Sequence, residues 1–138
     1  MINQHFKMTK HLTLLLFIGL AFWSCEEKSK TRIEEKIIEI YEDGKTKYVM
    51  VYKVKDENRV LYKKRTYHKN GLINIDYDVD AIGKPNGVYS EFYENGKPKI
   101  MGSYSIIGSN EVKNGQWMWY NESGNIDKIE DYLNGVKQ

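Results

Sequence analysis

Residues 87–104, GVYSEFYENGKPKIMGSY, align without a gap on residues 115–132, GQWMWYNESGNIDKIEDY, at an offset of 28. Gly87 falls on Gly115, Tyr89 on Trp117, Phe92 on Tyr120, Glu94 on Glu122, Gly96 on Gly124 and Tyr104 on Tyr132. A repeat of this length constrains the fold more than any single motif, because each copy must be one supersecondary unit. The unit reads as a β-hairpin. Residues 87–93 are rich in aromatic and β-branched side chains, and residues 98–104 form the return strand. Asn95-Gly96 between them predicts a type I′ turn, which needs positive φ at both central residues.

The same signal occurs twice earlier, at Asp43-Gly44 and Asn70-Gly71. The turn glycines Gly44, Gly71, Gly96 and Gly124 are then spaced by 27, 25 and 28 residues. Residues 33–41 are ambiguous, since Ile33, Ile37 and Tyr41 fit a helix face while Ile38 and Ile40 alternate. The Asp-Gly turn and the β-prone Tyr48-Val49-Met50-Val51-Tyr52 run break the tie toward strand, with residues 37–42 and 47–53 as the first hairpin. Residues 59–68 and 73–79 supply the second hairpin. Ile73, Ile75, Tyr77 and Val79 alternate there with Asn74, Asp76, Asp78 and Asp80. Residues 56–58, 82–86 and 107–114 read as the links between hairpins. The expected fold is all-β: an elongated, twisted antiparallel meander of about four hairpins and eight strands.

The segment GKPNGVYSEFYENGKPKIMGSY resembles the bacterial variant of the MORN repeat, in which a Gly-x-aromatic strand runs into Tyr-x-x-Asn-Gly-Lys and a return strand ending in Tyr. The resemblance is close over residues 83–104, fair over 115–135 and looser over 41–77, where the opening Gly-x-aromatic is missing. The same repeat marks the YwqK-type family, described as the antitoxin component of a toxin–antitoxin system. That resemblance implies a neutralising or immunity role toward a cognate toxin. The motif itself specifies a hairpin and no chemistry.

The first residues have a different character. Lys7 and Lys10 precede an apolar run of 12 residues, 12–23, then Ser24 and Cys25. A basic start, a short apolar segment and a small residue before the cut make a secretory signal. The run is too short to span a hydrocarbon core of about 30 Å, which takes about 20 residues. Here the chain resembles a bacterial lipoprotein, of the looser kind found in Bacteroidetes. The resemblance implies cleavage before Cys25 and acylation of its sulfur. Two or three acyl chains, at about 0.8 kcal/mol for each buried CH₂, would anchor it to a membrane. The expected organisation is a signal peptide over 1–24, a lipidated cysteine and charged tether over 25–36, and the repeat domain over 37–138. Localisation follows as the cell envelope, most simply the outer membrane. Acidic Glu26 and Glu27 resemble a surface-export signal, and the leaflet stays open.

Charge narrows the partners. Without residues 1–24, the basic count falls from 21 to 19 and meets 19 acidic residues. A balanced domain has no surplus to neutralise phosphates, so nucleic acid is not an expected partner. Candidate chemistry is sparse. Cys25 is the single cysteine, so no internal disulfide or cysteine-based zinc site can form. Asp76-x-Asp78-x-Asp80 opens like a calcium loop, but its sixth and twelfth positions are Ala81 and Gly87 instead of Gly and Glu. His68 is the one histidine after the leader and has no nucleophile or orienting partner in the pattern. It stands where the other hairpins have Tyr41 and Tyr93, which reads as a structural position. No glycine-rich phosphate loop precedes a helix. The expectation is a protein without catalytic residues, cofactor or metal.

The aromatic side chains carry more information. All eleven tyrosines follow Cys25, together with Phe92, Trp117 and Trp119. Most suit a cross-strand ladder. A thin sheet cannot bury them all, and an exposed aromatic strip marks an interaction site. The sequence nominates Tyr89, Tyr93, Trp117 and Trp119 as such a strip, for a protein or glycan partner at the membrane.

Overall fold

The architecture comes from a computed structural model that describes residues 30–138; the expected signal peptide, Cys25 and the first part of the tether lie outside the described residues. Nine strands form one antiparallel sheet in strict sequence order. They are β1 (Arg32–Ile40), β2 (Thr46–Lys55), β3 (Asn58–Tyr67), β4 (Ile73–Val79), β5 (Pro85–Phe92), β6 (Pro98–Ile107), β7 (Asn110–Tyr120), β8 (Ile126–Leu133) and β9 (Val136–Lys137). The expected all-β meander of hairpins is therefore the fold, with a short ninth strand added at the end.

Two boundaries differ from expectation. β1 starts at Arg32, so residues 32–36 belong to the sheet instead of the tether, and the repeat domain begins before 37. Charge misleads there because a strand open on both faces can keep its acids in water or paired. Arg32 through Ile37 run in unbroken register against Val54 through Val49. Glu35 meets Arg65 at 2.8 Å. Residues 107–114 are not a loop either: β6 and β7 close through Gly108 and Ser109 alone, with Gly108 at φ 63°.

Five of the turns share one geometry, and it is not the one expected. At Tyr93 the amide accepts no other role than to donate to the Lys97 carbonyl, while Gly96 N–H donates to the Tyr93 carbonyl, both at 2.9 Å. Gly96 has φ 80°, whereas Asn95 keeps negative φ. This is a three-residue loop in which an ordinary turn ends in a left-handed glycine, so only the glycine needs positive φ. Asn95 instead turns its Oδ1 to the Lys97 N–H at 2.9 Å. The same pair of bonds recurs at Tyr41–Lys45, His68–Leu72, Asp80–Lys84 and Asn121–Asn125. The link over residues 82–86 is thus a fifth copy, with Gly83 at φ 85°. A true Asn-Gly turn with both residues left-handed occurs once, at Asn134 (φ 53°) and Gly135 (φ 86°).

Successive hairpins are fastened by side chains reaching to backbone carbonyls. Tyr41 donates its hydroxyl to the Tyr67 carbonyl, and Tyr93 to the Tyr120 carbonyl, both at 2.7 Å. His68 fills the same place, with Nε2 at 2.9 Å from the Phe92 carbonyl. A carbonyl only accepts, so that nitrogen carries the proton. The structural reading of His68 therefore holds. Asn70 and Asn95 add a second clasp, each donating Nδ2 to the next turn at Glu94 and Glu122. On the opposite edge Lys64 and Lys84 reach the carbonyls of Gly83 and Ser109 at 2.8 Å. Each such bond contributes about 0.5–1.5 kcal/mol.

Among the described residues few hydrophobic side chains are buried: Val49, Val51, Val54, Val79 and Trp117. One rung crosses eight strands as Ile37, Val49, Arg65, Asp76, Ser90, Met101, Met118 and Ile129. Its middle is ionic. Arg65 pairs with Asp76 at 3.0 Å, and Lys63 pairs with Asp76 and Asp78 at 2.8 and 2.9 Å. The ammonium and guanidinium stems cover the valines beside them while their heads stay paired.

Gly96→Ala forces a β-carbon into the left-handed region, which costs about 1–2 kcal/mol. Tyr93→Phe removes one clasp, worth about 1 kcal/mol. Urea unfolding of the two variants should show both losses, additive within about 0.5 kcal/mol only if the turn and the clasp act independently.

Candidate functional site

The face opposite that ionic rung carries the aromatic residues. Tyr77, Tyr89 and Gly102 stand directly opposite one another on β4, β5 and β6. Opposed residues share a face, so the two tyrosines lie side by side and a gap follows at Gly102. Trp117 fills it. β7 sets three residues, Gly115, Gln116 and Trp117, against Gly102 alone, because Met101 opposes Met118 and Ser103 opposes Asn114. This bulge frees the indole to lie back over β6. Its Nε1–H donates to the Ser103 carbonyl at 3.2 Å. A β-carbon built on Gly102 would sit 2.3 Å from the ring. The glycine is thus the socket for the tryptophan.

A connected aromatic array results. Ring centroids of Tyr77 and Tyr89 are 6.2 Å apart. Tyr89 stacks on Trp117 at 5.6 Å, and Tyr104 meets Trp117 edge to face at 5.0 Å. Trp119 lies beyond, 6.2 Å from Trp117. Such pairs are worth about 0.5–1.5 kcal/mol each beyond the area they bury. At the β7–β8 end the array carries cations. Lys113 Nζ sits 4.4 Å from the Trp117 ring, 5.0 Å from Trp119 and 5.1 Å from Tyr132. Lys128 Nζ is 4.5 Å from Trp119.

The four nominated residues therefore divide. Tyr89 and Trp119 stand on the array, half-buried. Trp117 is its centre but only 2% exposed, so it is packing and not a contact surface. The sequence could not show this, because the Gly102 socket sits on another strand. Tyr93 lies at the turn edge with its hydroxyl spent on Tyr120. Two members were missed, Tyr77 and Tyr104. Tyr104 closes the repeat, and its alignment with Tyr132 was the signal available.

Electrostatics around the array are local. Burial, and then the Glu91 carboxylate, push the Tyr89 hydroxyl well above the usual phenol range. It stays protonated and donates to Glu91 Oε2 at 3.3 Å. Glu130 is enclosed beside Trp117, its opposite residue on β7. Lys128, Lys137 and the Tyr132 hydroxyl bond to it at 2.8, 2.6 and 2.7 Å. Those bonds hold its carboxyl down to about 2. The acids of the calcium-like spacing have separate duties: Asp76 and Asp78 hold Lys63. Asp80 Oδ1 accepts the amides of Ile82 and Lys84 at 3.0 and 2.9 Å. Among the described residues no group of His, Asp and Glu is placed to hold a metal ion.

Two predictions follow from this packing. Gly102→Ala must expel the indole, so Trp fluorescence should shift to the red and stability fall by about 1–3 kcal/mol, the usual cost of overpacking. An unshifted spectrum would show that the ring does not sit on Gly102. The Glu130 carboxyl, depressed in the folded state, contributes stability that is present above the unfolded carboxylate range and is lost as pH falls through about 2. NMR titration should place its midpoint near 2, and Lys137→Met should raise it.

Residues 85–105 and 113–134 match the family model described as the MORN repeat variant. They take in β5 with most of β6, and most of β7 with β8. The two hairpins before them lie outside the match but share its turns and clasps. No curated protein and no solved structure matches the chain.

Proposed function

We propose that the protein is a non-catalytic binding scaffold, held at the cell envelope by acylated Cys25, whose aromatic face takes a protein or glycan partner. The observation that carries this reading is the array from Tyr77 to Trp119. It crosses four strands of a one-layer sheet, and among the described residues no second layer packs over it. Contiguous apolar surface of this kind is a mark of interaction sites. The matched MORN repeats support the scaffold part of the reading, since stacked hairpins extend a surface without supplying chemistry. The leader residues up to Cys25 support the anchor.

Tyr89 and Trp119 are the contact residues in this reading, and Trp117 positions them. Affinity capture from native membranes with the full lipidated chain is the test. Trp119→Ala and Tyr89→Ala should each cut recovery of the partner about tenfold or more, while Met101→Ala on the opposite face leaves it unchanged. Equal recovery with all three variants would remove the aromatic face from the function. A captured toxin, with toxicity relieved by this protein, would select the immunity role implied by the YwqK-type resemblance.

A further inference from the structure

We infer that β1 is a self-association edge, where two copies of the chain join strand to antiparallel strand about a two-fold axis at Glu35. This rests on the edge itself and not on the aromatic face.

The stack of hairpins has a direction. Donors reach forward from each turn to the next: Tyr41 to Tyr67, His68 to Phe92, Tyr93 to Tyr120. At the last turn the forward donors are gone. Asn121 turns its Nδ2 back to Asp127 at 3.1 Å, and Ser123 stands where Asn70 and Asn95 stand. β9 pairs with Tyr132 and Leu133 and covers that end of the β8 edge; the rest of β8 alternates charge with Ile126 and Ile129, 51% and 48% exposed. A short covering strand is one way a sheet closes an edge. β1 has no such cover among the described residues. It pairs on one side only, and Ile33 and Ile37 are 54% and 57% exposed, on one face to either side of Glu35.

The register follows from symmetry. Two identical antiparallel strands about an axis perpendicular to the sheet must set one residue against its own copy, because opposed residues share a face. Centred on Glu35, Ile33 meets Ile37 twice and Glu34 meets Lys36 twice. The two Glu35 carboxylates face each other, but each is already held by Arg65 Nη1 at 2.8 Å. The centre is then two ion pairs and not two free acids. Neighbouring centres are worse. Lys36 would face Lys36, with Ile37 on Glu35. Glu34 would face Glu34, with Arg32 on Lys36. A centre at Ile37 sets Glu35 on Glu39. Of these four, the Glu35 centre alone opposes apolar to apolar and acid to base. A centre at Ile33 does so too, but it pairs only residues 32–34 of β1, whereas the Glu35 centre pairs 32–38. The Glu35 centre also lies within the regular part of β1, before the irregularity after Ile37.

Cross-linking of the full chain in membranes reads this register directly. Under mild oxidation Glu35→Cys should run at twice the monomer mass without reductant. Ile33→Cys alone and the unsubstituted chain, which controls for Cys25, should stay monomeric. Ile33→Cys with Ile37→Cys should give the dimer while keeping Glu35 and its Arg65 contact, so it decides the matter if loss of Glu35 disturbs the edge. Lys36→Glu in that double-cysteine chain should cut the dimer tenfold or more, and adding Glu34→Lys should restore it. A monomer in both cysteine variants, equal dimer from Ile33→Cys alone, or no rescue by the charge swap would overturn the inference.

Discussion

A sheet one layer thick has no second layer to press against, so its cohesion must come from within the plane. Among the described residues the enclosed side chains are few: four valines, Glu130, and a tryptophan laid over a neighbouring strand. What binds one hairpin to the next is therefore the backbone ladder plus the side chains that reach along it to carbonyls. Tyr41, His68 and Tyr93 do this at three successive junctions. Each bond is modest, but each also fixes register, because a slip of one residue would carry the donor to the wrong face. The left-handed glycines make the clasps workable. They keep each turn to three residues, so the residue at its base always arrives beside the same carbonyl of the next hairpin.

The two faces divide the labour. One is ionic, with Arg65 stretched between Glu35 and Asp76 and Lys63 held by Asp76 and Asp78. Its charges are paired within the sheet, which leaves little for a partner to neutralise. The other is aromatic, and its centre is fixed by Trp117 in the space that Gly102 leaves open. The rigidity matters for binding, because rings already held in place lose less freedom when a partner arrives. Two lysines lie over the outer end of that face, so its character changes along its length from phenolic to cationic.

How much of this was legible in sequence depends on the range of the interaction. The hairpins were legible, because turn glycines at regular spacing act within five residues. The equivalence of His68 with Tyr41 and Tyr93 was legible for the same reason. The turn type was not: Asn-Gly serves two geometries, and what separates them is whether the strands close over two residues or three. The start of the first strand, residues 32–36, was read as tether because its charges looked solvated, and their partners, Arg65 above all, lie 30 residues on. The aromatic strip was legible in composition but not in membership. Trp117 looked like surface because its equivalent, Tyr89, sits opposite a glycine that no local pattern connects to it.

The sequence alone determined the class, the hairpin unit and the positions of its reversals, since these follow from backbone conformations that glycine reaches and other residues avoid. It also determined that no cysteine pair could staple the domain. The tertiary structure alone decided which rings share a face, which tryptophan is packing, and which strands form the edges of the sheet among the described residues. Those depend on the bulge in β7 and on pairings between residues far apart in the chain, and a bulge of two residues changes the aim of a side chain without leaving a mark in the local sequence.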